Sequence, residues 1–169
     1  YLKINISKNI TNKLNTSIPL LFLILIFLQI SIGAFVSGMD AGKIYNSWPL
    51  MGNSYFPDDN NLKNLFEVTA FSDPSLVQFI HRVSGYILFI FCVYSWSSVR
   101  KSGNESLKFG FNLIFALAFF QMVLGIVTVM YAAPWEIAIV HQFVAILLWV
   151  SVLRARFITK YPPNNTLSK

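Results

Sequence analysis

SLVQFIHRVSGYILFIFCVYSWSSV, residues 75–99, decides the fold. Its only formal charge is Arg82, beside His81. At about 1.5 Å per residue a helix of this length crosses the roughly 30 Å of hydrocarbon in a bilayer. Three further runs are long and apolar enough to do the same, at about 17–37, 109–131 and 135–157. In lipid each spanning backbone must satisfy its own hydrogen bonds, so all four runs read as helices. With 55% hydrophobic and 12% charged residues and a mean hydropathy of +0.57, the chain is too apolar for a soluble domain of 169 residues. The expected fold is an all-α membrane protein, with four transmembrane helices in an antiparallel bundle.

Local signals mark the helix ends. Asp73-Pro74, and Pro134 with Glu136, have the character of helix openings, because proline suits the first helical position and acidic groups favour the positive end of the helix dipole. Arg100-Lys101 and Arg154/Arg156 close the second and fourth helices with the opposite charge. The division expected is a polar tail at 1–16, a membrane domain at 17–158 with a long loop at about 38–74, and a second tail at 159–169. Lys3, Lys8, Lys13, Arg100, Lys101, Lys108, Arg154, Arg156, Lys160 and Lys169 lie on one side of the span. The long loop instead carries Asp40, Asp58, Asp59, Glu67 and Asp73 against Lys43 and Lys63. The positive-inside rule then puts both termini in the cytoplasm or matrix and the loop outside. This asymmetry and anionic lipid account for the net charge of +6; no basic aromatic surface speaks for nucleic acid. The single cysteine, Cys92, falls mid-helix and reads as a core residue, and no CxxC or CxxCH motif points to attached haem or a thiolate site. The triplet Asn9-Ile10-Thr11 falls on the expected inner side and reads as compositional noise. Because the chain starts at Tyr1 it is expected to be a piece of something longer.

His81 and His141 are the only histidines, and each follows a helix-opening proline (Pro74, Pro134) by seven residues. Two helices entering from the same side therefore carry their imidazoles at one depth, roughly 10 Å in. That arrangement suits an iron held between two neutral imidazoles on opposite faces of a haem. A histidine bonded to a neighbouring carbonyl inside the bundle is the alternative for either one alone. An internal repeat ties the two together. Gln29-Ile-Ser-Ile-Gly33 in the first helix corresponds to Gln121-Met-Val-Leu-Gly125 in the third, and Gln78-Phe-Ile-His81 in the second to Ala138-Ile-Val-His141 in the fourth. The bundle thus reads as a duplicated helix pair that presents one histidine per copy.

Near the imidazoles, Gly85, Ala138 and Ala145 are small enough to clear a flat macrocycle, or else serve close helix packing. Arg82 is placed either to bind haem propionates with its fork of N–H groups or to snorkel to lipid head groups. Gln29, Gln78, Gln121, Gln142 and Thr128 are expected to face the interior, without separate roles. The loop interleaves turn formers with Tyr45, Trp48, Met51 and Phe56, the pattern of a lid folded over the bundle, though Tyr45 and Trp48 also suit an interfacial aromatic belt.

GAFVSGMDAGKIYNSWPLMG (33–52), VQFIHRVSGY (77–86), GIVTVMY (125–131) and AIVHQ (138–142) together resemble the C-terminal half of haem A synthase, of the mitochondrial and alphaproteobacterial type. The resemblance spans about residues 20–158. It implies one of two similar four-helix halves of an oxidoreductase that converts the C8 methyl of haem O to a formyl group, giving haem A for cytochrome oxidase. The implied role of this half is to hold haem b by bis-histidine ligation through His81 and His141 and to pass electrons to an unidentified acceptor. The other half of such proteins holds the haem O substrate and an outer-loop glutamate. Neither Glu67 nor Glu136 maps onto that glutamate, so the catalytic residues are unknown from this chain. The cysteine pair of some bacterial members has no counterpart in this loop. The implied location is the bacterial inner membrane, multi-pass, or the mitochondrial inner membrane. A stand-alone b-type cytochrome with two histidine ligands is the rival from another class, and a haem-free membrane scaffold a third; the outer-loop motif speaks against the first, and an absorbance spectrum decides the second.

Overall fold

A computed structural model describes residues 17–101 and 104–161 of the chain. Expectations for the tails, including Lys3, Lys8, Lys13, Lys169 and the triplet at Asn9, lie at 1–16 and 162–169, outside the described residues. The four helices are α1 (Ser17–Gly38), α2 (Pro74–Arg100), α3 (Glu105–Met130) and α4 (Trp135–Lys160). All four are long and apolar enough to cross a membrane, and the protein is a multi-pass membrane protein. Phe27, Ile90, Phe119, Phe143 and Leu153 project outward along the bundle, as lipid-facing residues must.

Short turns force α2, α3 and α4 to run antiparallel to their chain neighbours. α1 packs on α2, α2 on α3, α3 on α4, and α4 closes the ring on α1. The two histidine-bearing helices, α2 and α4, therefore stand on a diagonal of the bundle. Asp73 caps α2 by accepting the Leu76 N–H (3.0 Å), with Pro74 opening the first turn. α3 starts four residues earlier than its apolar run, because Asn104 accepts the Leu107 N–H (3.1 Å) and Glu105 sits in the first turn. α4 runs on to Lys160, so Arg154 and Arg156 ride on the helix and do not end it.

One close-packed cluster fills the half of the bundle away from the loop. Phe22, Leu23, Ile26, Cys92, Val99, Leu107, Phe111, Ile114, Ala118, Leu148, Val152 and Ala155 form one buried cluster there. At the histidine level the facing side chains are only half-buried. With lipid as apolar as leucine, helix association there depends on close contact and on polar pairs between helices.

Above that level lies the 39–73 loop, which folds back as a lid. It carries three short 3-10 turns, Ala41–Lys43, Leu62–Phe66 and Val68–Ser72. Ala41, Met51 and Pro57 are fully buried beneath it, and Phe56 meets Phe79 of α2 edge-on, ring centres 5.0 Å apart. The amide of Asn46 donates to Gly42 O and to Val129 O at the end of α3, both 3.0 Å away. Gly42 is required by the approach to the α3–α4 turn, since a Cβ there would lie 2.9 Å from that of Ala133. Gly52 has φ +80°, and a Cβ on it would collide with the Asp58 carboxylate. Tyr45 lies inside the lid, as read from the sequence, whereas Trp48 stays partly exposed and donates to the Tyr86 hydroxyl (2.9 Å).

Asp59 ties the lid to α2. Its carboxylate accepts from Ser75 Oγ (2.7 Å) and from the Tyr45 hydroxyl (2.9 Å). Partial burial works against its charge, but the bonds from Ser75, Tyr45 and Asn60 outweigh this and hold it below the usual carboxylate value of 3.8. Burial and the neighbouring carboxylate push the Tyr45 hydroxyl up. A carboxyl lowered in the folded state stabilises it above the ordinary value and loses that contribution as pH falls through the lowered one. Amide protection of residues 41–60, corrected for intrinsic exchange, should therefore be constant near neutrality and decline on acidification below about pH 4. Asp59→Asn should start lower and lose this dependence.

Candidate functional site

The site begins with one glycine and one glutamine, a helical turn apart on the same face of a helix, offered to a histidine on the next helix. An imidazole needs room beside a backbone, and glycine gives it. A Cβ at Gly33 would stand 3.2 Å from His81 Cε1, and one at Gly125 would stand 3.1 Å from His141 Cε1. Each ring therefore lies over the glycine of its neighbouring helix in nearly the same pose. The glutamines complete both pockets: Gln29 Nε2 is 3.2 Å from His81 Nδ1, and Gln121 Nε2 is 3.3 Å from His141 Nε2. The two imidazoles stand on diagonal helices of the bundle. The sequence repeat is thus also a repeat of contacts.

The copies differ in how the glutamine is held. The Gln29 amide also donates to His81 O (2.9 Å), and its carbonyl accepts from Ser84 Oγ (2.6 Å). On the other side Gln121 Oε1 and His141 Nδ1 are buried without a partner. The residue three after His141, in the place of Ser84, is Val144.

Arg82 reaches the lid. Its Nη2 donates to Tyr45 O (2.8 Å), and its Nη1 to Ser47 O (3.0 Å) and Leu50 O (3.3 Å), while Nε is buried without a partner. Bonds from a charged donor contribute about 1.5–3 kcal/mol each, so this latch is the strongest tie between lid and bundle. Gln78 adds a bond to the same Tyr45 O (3.0 Å). Gly85 lies beside Gln29, whose Nε2 would be 3.3 Å from a Cβ there, and Ala138 and Ala145 are half-buried on α4.

Gln142 departs from expectation: it is exposed, because one residue past His141 turns it about 100° round the helix, away from the interior. Thr128 bonds the Leu124 carbonyl of its own helix (2.7 Å). The roles of Gln29, Gln121, Gly33 and Gly125 at the imidazoles were not assigned from the sequence, although the Gln-x-x-x-Gly repeat was the signal that could have found them. Ser84 carried no signal.

The family model described as cytochrome oxidase assembly protein matches residues 7–153. The chain belongs to this family. It is similar to haem A synthases of Ruegeria sp. (strain TM1040), 54% identical over 136 residues, Roseobacter denitrificans, 48% over 136 residues, and Paracoccus denitrificans, 38% over 138 residues. These alignments cover 80%, 80% and 82% of this chain and 36% of each relative, so the chain spans little more than a third of the length of the curated relatives it matches. No solved structure matches it.

A haem can be tested against the residues present. Among the described residues no group of three or more His, Cys, Asp or Glu could hold a metal ion. An ion held between His81 and His141 would need its remaining donors from elsewhere, and the planar nitrogens of a porphyrin would supply them. The unpartnered His141 Nδ1 and Gln121 Oε1 and the small residues around both rings fit such a group. Gly125→Ala should push the His141 ring by a few tenths of an ångström and weaken protohaem binding, read by spectrophotometric titration. Gly110→Ala, with open space around it, should leave the titration unchanged.

Proposed function

We propose that this chain is the haem b-carrying four-helix half of a haem A synthase, with His81 and His141 as the two axial ligands. The reading is carried by one observation: repeat-related imidazoles, each over a glycine and beside a glutamine, stand on diagonal helices. The relatives are named haem A synthases, and the reaction class, an oxidation that turns haem O into haem A, is what the resemblance implies. A haem with both axial positions filled supplies one-electron transfer and leaves no open position for a substrate oxygen species.

The residues of the chain have separate tasks in this reading. His81 and His141 bind the iron in their neutral form. Gly85, Ala138 and Ala145 keep the ring plane clear of aliphatic bulk. The lid, latched by Arg82 and Gln78, excludes water from the loop end. Arg82 Nε, buried without a partner, is the donor offered to a propionate, while Nη1 and Nη2 both bond lid carbonyls. Haem O docks on the half that lies outside this chain, and electrons leave to an acceptor of unidentified nature. The distribution of Lys and Arg supports a bacterial inner-membrane protein with cytoplasmic termini, or the equivalent orientation in a mitochondrial inner membrane.

Purified in lipid nanodiscs and titrated with protohaem, the chain should give a six-coordinate low-spin spectrum. His81→Ala and His141→Ala should each abolish it, because each removes one of two axial bonds. Supplied with haem O and an electron acceptor, the chain alone should form no haem A. Formyl-haem product would make it the catalytic unit and overturn the division of labour.

A further inference from the structure

The two histidine pockets share a motif and a ring pose, yet their glutamines meet different nitrogens. Gln29 takes His81 Nδ1, the ring nitrogen nearer the backbone, and leaves Nε2 with no protein partner; Gln121 takes His141 Nε2 and leaves Nδ1 orphaned. The rings do not cause the difference, since the distances from the glycine positions to Cε1, Nδ1 and Nε2 are 3.2, 3.8 and 4.0 Å for His81 and 3.1, 3.8 and 3.8 Å for His141. What differs is the partner of the amide. Ser84 and His81 O fix Gln29 beside Nδ1. Val144, buried and unable to hydrogen-bond, stands in the place of Ser84 and leaves Gln121 Oε1 unheld.

We propose that Gln29 and Gln121 are positioning residues for the two axial imidazoles, with Gln29 preset by Ser84 and Gln121 free to swing from His141 Nε2 to Nδ1 as Nε2 takes up the iron. This rests on the ligand assignment of the preceding section. An imidazole ligated through Nε2 carries its proton on Nδ1 and needs an acceptor there. An amide can present either its carbonyl or its N–H groups, so a glutamine serves the ring both before and after ligation. On the His141 side the swing pairs the two atoms the structure leaves orphaned, His141 Nδ1 and Gln121 Oε1. On the His81 side no swing is needed, because the amide already stands beside Nδ1; to accept there it turns over, giving up its N–H bond to His81 O and the bond from Ser84, whose hydroxyl keeps its bond to Ile80 O. The centre is therefore asymmetric, with Gln29 already beside the ring nitrogen that will carry the proton and Gln121 having to move to it.

The test uses the chain in nanodiscs with protohaem, read by EPR of the ferric form, by midpoint potential and by stopped-flow association. Gln29→Glu and Gln121→Glu should each lower the potential, because a carboxylate accepting from Nδ1–H strengthens the imidazole as a donor to ferric iron. Gln29→Leu and Gln121→Leu should keep a low-spin spectrum but shift the EPR g-values as the ring planes are released. Val144→Ser should hold Gln121 at Nδ1 and speed formation of the six-coordinate spectrum, and Ser84→Val should slow it. Gln142→Leu, on the exposed face of α4, should change none of these. Potentials and g-values unchanged in all four glutamine variants would overturn the positioning role, and unaltered association in both Ser84→Val and Val144→Ser would overturn the swing. Should a leucine variant fail to bind haem, the glutamate variant at the same position decides. A wild-type chain with no low-spin spectrum would instead overturn the ligand assignment itself.

Discussion

Each imidazole of this protein lies on a glycine and against a glutamine of the next helix, and the rest of the loop end is arranged around those two contacts. A ring of this size fits between two helices only where one backbone is bare, so Gly33 and Gly125 set the spacing of α1 against α2 and of α3 against α4. In lipid, where apolar burial does little to hold helices together, such close approach and the polar pairs beside it carry much of the association. The opposite half needs no such device. There Phe22, Phe111 and their neighbours interlock, and Trp96 stacks on Phe115 (5.0 Å) beneath the Arg100 guanidinium.

The lid follows from the same constraint. A bundle kept open to half-burial at one end exposes polar groups of its interior, and a loop with its own hydrogen-bonded framework covers them. Arg82 shows how its position is set. It follows His81 directly, one residue farther from the loop end of α2, and its long side chain reaches back to the lid, where the carbonyls of residues 45, 47 and 50 converge on its guanidinium. One side chain thereby couples the lid to the helix turn that carries a histidine. The motif by which the loop resembles its relatives reads the same way: Gly42 for the approach to Ala133, Asn46 for the clasp on Val129, Gly52 for a backbone conformation that a side chain would strain.

Duplication made the two pockets alike, and a single position made them different. Ser84 and Val144 occupy equivalent turns after their histidines, and the hydroxyl present in one and absent in the other decides whether the adjacent glutamine is pinned. In a bis-imidazole centre of the kind proposed, the hydrogen bond to the outer ring nitrogen is a lever on donor strength, so two unlike pockets would give the iron two unlike ligands.

The sequence by itself determined the four spans, their openings at Asp73-Pro74 and Pro134 and the duplicated order of Gln, Gly and His. These depend on local properties: the length of an apolar run, the capping preference of one residue, the rise of a helix per residue. Helix ends were less legible, because polar residues such as Asn104 and Arg156 extend helices beyond the apolar run. The tertiary structure decided what each polar side chain meets. Arg82 has two chemically sensible destinations in the sequence, and only the fold of the lid shows that its fork is taken by three carbonyls. Gln142 and Gln121 look alike as intramembrane amides, yet one faces outward and the other a histidine, since that depends on the rotation of the helix about its axis. Which ring nitrogen is held, and which is left, depends on atoms brought together from helices far apart in the chain, and no local pattern encodes it.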